Sequence, residues 1–250
     1  MKVDVKAFAT LCVHGLLDLV YPPKCLLCGE LLPDGALCAT CIASFEPLPP
    51  PFCVRCGAPT LRASSWCLRC AAGQGPAWEW SYAFGRYSGS LREAIHRLKY
   101  GGRTSLAAPL AHLLGSSFDP EAIPEDAPQA GGFTFDIVVP VPLHPKRLRQ
   151  RGYNQSERIA YYLAKEKGWR LETGGLRRVK FASPQTRLGA AARRENVVGA
   201  FEVTEPERFR GLSVALVDDV ITTGATLGEI AKLLKQAGAT RVWALAVARD

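Results

Sequence analysis

Two adjacent carboxylates followed by a hydroxyl-rich turn can hold a phosphorylated sugar, and one stretch of the chain has that order: Asp218-Asp219-Val220-Ile221-Thr222-Thr223-Gly224-Ala225-Thr226. Carboxylates accept hydrogen bonds from a vicinal diol and also bind hydrated magnesium. Burying two of them for structure alone would be costly. The three threonines and the backbone amides that follow converge where a helix begins, and a helix N-terminus favours phosphate. Gly224 leaves the backbone free to wrap the anion. The expected ligand is a ribose 5-phosphate with its magnesium ion.

A second stretch offers the opposite charge. Residues 140–200 hold 14 Lys/Arg against 4 Asp/Glu, a local excess of +10, while the whole chain carries +8. The rest of the chain is therefore slightly acidic, and the positive field is confined to one region. Lys146, Arg147, Arg149 and Arg151, with Asn154 and Gln155 just beyond, are candidates for contacts to pyrophosphate or to a nucleic acid backbone. Arg193 and Arg194 form a further basic patch. Charge alone does not choose between a small phosphate ligand and a strand of DNA. Tyr153, Trp169 and Phe181 are aromatic side chains that could stack on bases.

Eight of the nine cysteines form four Cys-x-x-Cys pairs: Cys25/Cys28, Cys38/Cys41, Cys53/Cys56 and Cys67/Cys70. Each pair can aim two thiolates at one ion, and two pairs complete the tetrahedral shell that zinc prefers. Nine residues separate Cys28 from Cys38 and ten separate Cys56 from Cys67, so the segment reads as a duplicated unit with one structural zinc per repeat. The spacing admits sequential pairing and also an interleaved arrangement, first pair with third and second with fourth. Disulfides are the competing reading, and a cytosolic chain disfavours them. Cys12, outside the pairs, is expected to be buried in a helix.

These groups must be positioned by the elements around them. The first 21 residues read as an amphipathic helix, residues 22–73 as the double zinc ribbon, and residues 77–250 as an α/β domain, with Gly73-Gln74-Gly75-Pro76 between the last two. Strands are predicted at Trp80–Phe84, Phe135–Val139, Ser213–Val217 and Val242–Ala248. Helices are predicted from a Ser90/Glu93 capping box through Lys99, at Thr104–Leu114, at Ser156–Lys167 and at Leu227–Ala237. Ala127–Gly132 reads as a loop. Continuous apolar strands alternating with helices indicate a doubly wound parallel sheet, in which ligands sit beyond the carboxyl ends of the strands. Asp218 and Asp219 follow such an end.

The string from Val214 to Thr226 resembles the phosphoribosyl pyrophosphate motif of type I phosphoribosyltransferases. Together with Lys146-Arg147-Leu148-Arg149-Gln150-Arg151-Gly152-Tyr153-Asn154-Gln155, the segment from Gln185 to Phe201 and the leading cysteine pairs, it makes nearly the whole chain similar to the ComF family of competence proteins, of the ComFC or GntX type. That resemblance implies binding of phosphoribosyl pyrophosphate through Asp218, Asp219, Thr222, Thr223, Gly224, Ala225 and Thr226. It also implies a cytoplasmic role in natural transformation, handling incoming single-stranded DNA beside a ComFA-like helicase and a DprA-like DNA-processing protein.

Three classes of function compete. An active phosphoribosyltransferase of nucleotide or cofactor metabolism would displace pyrophosphate from C1, with Lys146, Arg147 and Arg151 neutralising the departing oxygens. A DNA-binding protein would use the same basic face for the phosphate chain. Zinc ribbons could instead dock a protein partner. The N-terminal residues lack the pattern of a secretory signal, and no run reaches the roughly 18 apolar residues that span a bilayer, so a cytoplasmic location without a membrane span is expected.

Overall fold

The computed structural model describes residues 22–60, 66–119, 135–181 and 197–250. The predicted helix at 1–21 with Cys12, the loop at 127–132, and Arg193 and Arg194 lie outside them.

The described elements run as follows: short helices α1 (Ala39–Ala43) and α2 (Leu68–Ala71) in the two cysteine ribbons, then β1 (Trp80–Arg86), α3 (Gly89–Tyr100) and α4 (Ala107–Ser117). The chain continues with β2 (Ile137–Pro140), α5 (Pro145–Arg151), α6 (Gln155–Lys167), β3 (Arg170–Leu171), β4 (Leu176–Arg178), β5 (Phe201–Val203), β6 (Ser213–Ile221), α7 (Ala225–Gln236) and β7 (Arg241–Arg249). Five strands form one parallel sheet in the order β1-β7-β6-β2-β3, and β4 and β5 form a separate antiparallel pair.

Strand side chains alternate between faces, and β7 shows why both faces are apolar. Trp243, Leu245 and Val247 join the core formed with α3, α4 and α6 through Leu91, Ile95, Leu110, Leu114, Ile159 and Leu163. Val242, Ala244 and Ala246 point the other way, to Ile230, Ala231 and Leu234 of α7. The sheet is thus covered by helices on both sides, as a doubly wound fold requires.

Two local expectations are corrected. The cap of α3 is not a Ser90/Glu93 box: the N-cap is Ser88, whose hydroxyl donates to Glu46 at 3.1 Å, and Glu93 pairs with Arg97 one turn on at 2.6 Å. Strand β6 runs to Ile221, four residues past the predicted end, because β7 supplies ladder partners there: Asp218 faces Ala246 and Ile221 faces Arg249. Hydropathy stops at the first carboxylate, whereas the backbone ladder does not.

The ribbons are fastened to the sheet through β1. Pro47 bridges Gly85, Arg86 donates its N–H to Glu46 O at 2.8 Å, and Ser81 donates to Val54 O at 3.0 Å. A side chain at position 85 would bring its Cβ within 2.6 Å of Glu46 O, so the ribbon backbone can lie on this strand only where glycine is.

Candidate functional site

The acidic pair and the basic segment meet because β2 and β6 are neighbours. Pro140 of β2 pairs with Val217, and the Val141 N–H continues the ladder to Val217 O at 2.9 Å. From this end the chain enters α5, capped by His144, whose Nδ1 accepts from the Lys146 N–H at 3.1 Å, and stopped by Gly152 in the left-handed conformation. The basic segment is therefore a helix beside the carboxyl end of the sheet.

Asn154 and Gln155, named above as phosphate contacts, are committed within the fold. Asn154 is buried, donates to Val141 O at 2.9 Å and caps α6 by accepting from the Ser156 N–H at 3.1 Å. Gln155 is buried and accepts from Arg151 Nη1. These bonds aim Ser156, fully buried at the start of α6, at the acidic pair: its hydroxyl donates to Asp218 Oδ1 at 2.8 Å.

The two carboxylates have different surroundings. Asp219 is 3% exposed, its Oδ1 lies 3.0 Å from Lys99 Nζ, and its Oδ2 has no hydrogen-bond partner among the described residues. Asp218 is half-buried and receives Ser156 and the Asp219 N–H. Burial, reinforced by the neighbouring Asp219 charge, pushes the Asp218 carboxyl up to about 7, although Lys99 and the two hydrogen bonds pull it down. Burial opposes the positive charge of Lys99, and the charges of Asp219 and Asp218 raise its pKa above the usual lysine value.

Lys99 and Ser156 are site residues that sequence reasoning did not assign. Lys99 carried only the signal of a helix end and Ser156 that of a helix start; their proximity to Asp218 and Asp219 is a product of the fold.

After β6, Thr222 and Thr223 lead to Gly224, the N-cap of α7, at φ +73°. The helix opens at Ala225, two residues before the predicted start. The indole of Trp78 covers Gly224 so closely that an added Cβ would lie 2.6 Å from Cη2. Trp78 is itself held by its Nε1–H, which donates to Arg55 O in the second ribbon at 2.6 Å. A cleft of about 470 Å³ opens between that ribbon and α7, lined among others by Cys70, Arg69, Trp78, Thr223, Gly228 and Lys232. It reaches the loop from the ribbon side, while Asp218 and Asp219 do not line it.

The basic and aromatic candidates divide. Lys146 and Arg149 are exposed, and Lys146 Nζ lies 4.7 Å above the ring of Phe181. Arg151 stacks on Tyr100 at 5.1 Å. Burial lowers the pKa of Arg178, an unassigned cation of β4; Arg147 lowers it further, and the negative charge of Asp218 acts in the opposite sense. Tyr153 donates to Leu98 O, and Trp169 packs edge-on to Phe135 with centroids 5.1 Å apart. Phe181 is the exposed aromatic of the three.

The cysteines resolve into two clusters of consecutive pairs, Cys25/Cys28/Cys38/Cys41 and Cys53/Cys56/Cys67/Cys70, with sulfurs within 4.8 Å of one another in each. Gly29 and Gly57 close the opening turns at φ +81° and +69°. Cys28 Sγ is 3.7 Å from Cys38 Sγ, and Cys56 Sγ is 3.7 Å from Cys67 Sγ. A tetrahedron with zinc–sulfur bonds of about 2.3 Å has edges of about 3.8 Å, so the donor sets fit one structural zinc each. In the second cluster, the hydrogen bond from the Cys56 side chain, helped by backbone N–H groups against the effect of burial, lowers the Cys53 thiol to about 4. One thiolate is stabilised before any metal is considered.

Among the described residues, no helix is long and apolar enough to cross a membrane. A family model described as a double zinc ribbon domain matches residues 16–71. DNA utilization protein YhgH of Salmonella typhimurium is 33% identical over 232 residues, covering 91% of this chain and 98% of that protein. Competence protein F of Haemophilus influenzae is 32% identical over 229 residues, covering 89% and 96%. Among solved structures, glutamine phosphoribosylpyrophosphate amidotransferase from B. subtilis overlaps 56% of this chain and 25% of its own, at 23% identity and a TM-score of 0.36.

Proposed function

Because this chain belongs to the family of DNA utilization protein YhgH and competence protein F, we propose that it binds magnesium phosphoribosyl pyrophosphate or a related ribose 5-phosphate ligand and handles single-stranded DNA in the cytoplasm during DNA uptake. The observation that carries the ligand assignment is the half-buried Asp218 held by Ser156, four residues before a threonine-rich turn that opens α7 through a left-handed glycine.

In this reading Asp218 meets the ribose hydroxyls or magnesium, and Asp219, paired with Lys99, holds the strand end in place. Thr222, Thr223, Gly224, Ala225 and Thr226 receive the 5-phosphate at the start of α7, where backbone amides and the helix dipole favour an anion. Lys146, Arg147, Arg149 and Arg151 of α5 stand at the neighbouring strand end for pyrophosphate or DNA phosphates; Arg193 and Arg194 are assigned to the same duty. The double ribbon at 22–73, with two structural zinc ions, and the preceding segment 1–21 lead the ligand-binding domain at 77–250. A ComFA-like helicase and a DprA-like DNA-processing protein are the proposed partners.

Calorimetric titration with phosphoribosyl pyrophosphate and magnesium tests the site. Binding is expected in the wild type and at least tenfold weaker in Asp218→Asn, with circular dichroism confirming that the variant folds. Equal affinity in both would remove the loop assignment.

A pyrophosphate-releasing transferase is the second reading, and one observation favours it. A carboxyl that titrates near 7 can exchange a proton with an acceptor at working pH. A screen of nucleobases and amines for pyrophosphate release separates turnover from binding.

A further inference from the structure

The two cysteine clusters have similar donor sets but different electrostatic surroundings. Beside the first, Glu30 adds negative charge: Cys28 Sγ approaches Glu30 Oε2 at 3.9 Å, and Cys28 is exposed. Arg97 also reaches this ribbon, but it bonds the carbonyls of Leu26 and Leu27 and is already paired with Glu93.

Beside the second cluster lies Arg249, the last residue of β7. Its guanidinium packs against the turn of that ribbon: a Cβ on Gly57 would be 3.0 Å from Nη1 and 3.3 Å from Cζ. Nη1 is buried and has no hydrogen-bond partner among the described residues. Burial lowers the pKa of Arg249, and the negative charges of Cys56, Cys53, Cys67 and Cys70 act in the opposite sense. A buried, unpartnered guanidinium is costly unless something compensates it. Four thiolates around a divalent ion carry a net charge of about −2, which supplies that compensation.

We propose that Arg249 is the outer charge partner of the second metal site, and that it makes this site the tighter of the two. The same residue joins the metal site to the sheet. Its carbonyl accepts from the Tyr87 N–H at 2.7 Å, and in the ladder it faces Ile221, the residue before the Thr222 turn. Metal in the second ribbon therefore stabilises the end of β7 beside that turn, whereas metal in the first ribbon leaves Arg249 unaffected.

The test uses the full chain loaded with zinc, and it reads metal and thiols, so it does not depend on the ligand assigned above. A graded chelator should withdraw zinc in two steps, with alkylation mapped by mass spectrometry marking Cys25, Cys28, Cys38 and Cys41 first and Cys53, Cys56, Cys67 and Cys70 later. Arg249→Met should lower the affinity of the later step by about 10–100-fold, as loss of a group outside the ligand shell does elsewhere, and Arg249→Lys should recover part of the loss. Simultaneous labelling of the two groups, or earlier labelling of the second, in the wild type would overturn the proposal. So would an Arg249→Met protein whose later step is unchanged. If Arg249→Met does not fold, the labelling order of the wild type and the affinity of Arg249→Lys decide: simultaneous or reversed labelling, or a later step unchanged in Arg249→Lys, overturns the proposal, and the expected order with a weakened later step supports it.

Discussion

Lys99 Nζ lies 3.0 Å from Asp219 Oδ1, so one carboxylate of the acidic pair is balanced by a cation within the protein, while the other, Asp218, is held by the Ser156 hydroxyl. Removing the cation leaves a buried acid alone. Lys99→Met is expected to cost about 3–5 kcal/mol of stability, read as a lowered thermal midpoint. The double variant Lys99→Met/Asp219→Asn should recover much of that loss, and strict additivity of the two changes would show that the pair is not coupled.

The Asp218 carboxyl moves from an ordinary value of 3.8 to about 7 in the fold. Between these values the folded state holds a proton that the unfolded chain has released. Stability attributable to this group therefore falls as pH rises from about 4 to about 7 and then levels off. Denaturant unfolding across that range should show a downward slope that Asp218→Asn removes, while ligand affinity in the wild type should rise through pH 7. Identical stability profiles for the two proteins would contradict the assignment.

Gly224 and Gly228 both lie under Trp78, yet they should respond oppositely to alanine. At Gly224 the positive φ costs about 1–2 kcal/mol for any L side chain, and the new Cβ would overlap the indole. At Gly228, inside α7, the nearest indole atom would be 3.7 Å away, so alanine should add about 0.5–1 kcal/mol of helix stability. Paired melting curves measure both signs.

Arg149 is exposed on α5, which suits a contact with a phosphate chain. Arg149→Ala should weaken single-stranded DNA binding regardless of sequence and reduce the slope of log affinity against log salt by about 0.7. Fluorescence anisotropy at several salt concentrations gives that slope; an unchanged value would place the DNA elsewhere.

Metal analysis should return about two zinc ions per chain, and Cys56→Ser should remove one. Because the ligands must be thiolates, acidification should release zinc and zinc binding should release protons. A pH-stat titration of the apo protein counts those protons.

The sheet was legible in the sequence wherever apolar strands are buried on both faces, as at Val242–Ala248, and the cysteine spacing already held the two clusters, although the choice between sequential and interleaved pairing needed coordinates. The partners of the acidic pair were not legible. Lys99, on α3, and Ser156, at the start of α6, lie 120 and 62 positions before the carboxylates they meet, and the fold brings both to β6. Asn154 shows the same limit: beside a run of cations an amide reads as a phosphate contact, and the fold adds that it caps α6 and donates to Val141 O. Arg249 gave no signal at all, being one arginine at the end of an apolar strand.

The bridge between Pro47 and Gly85 has a consequence for how the protein coexists with copies of itself. The outer side of β1 is occupied by the ribbon backbone, and the opposite border of the sheet, β3, is only two residues long. Among the described residues, neither border offers a long open ladder to a strand from another molecule, the usual route to uncontrolled self-association. The cysteine ribbons thus act as a stopper on the sheet as well as a metal-binding module. A fragment beginning at residue 77 would leave β1 paired only with β7, open its other edge and uncover Phe84, which packs against Phe45, and should precipitate at concentrations where the full chain does not.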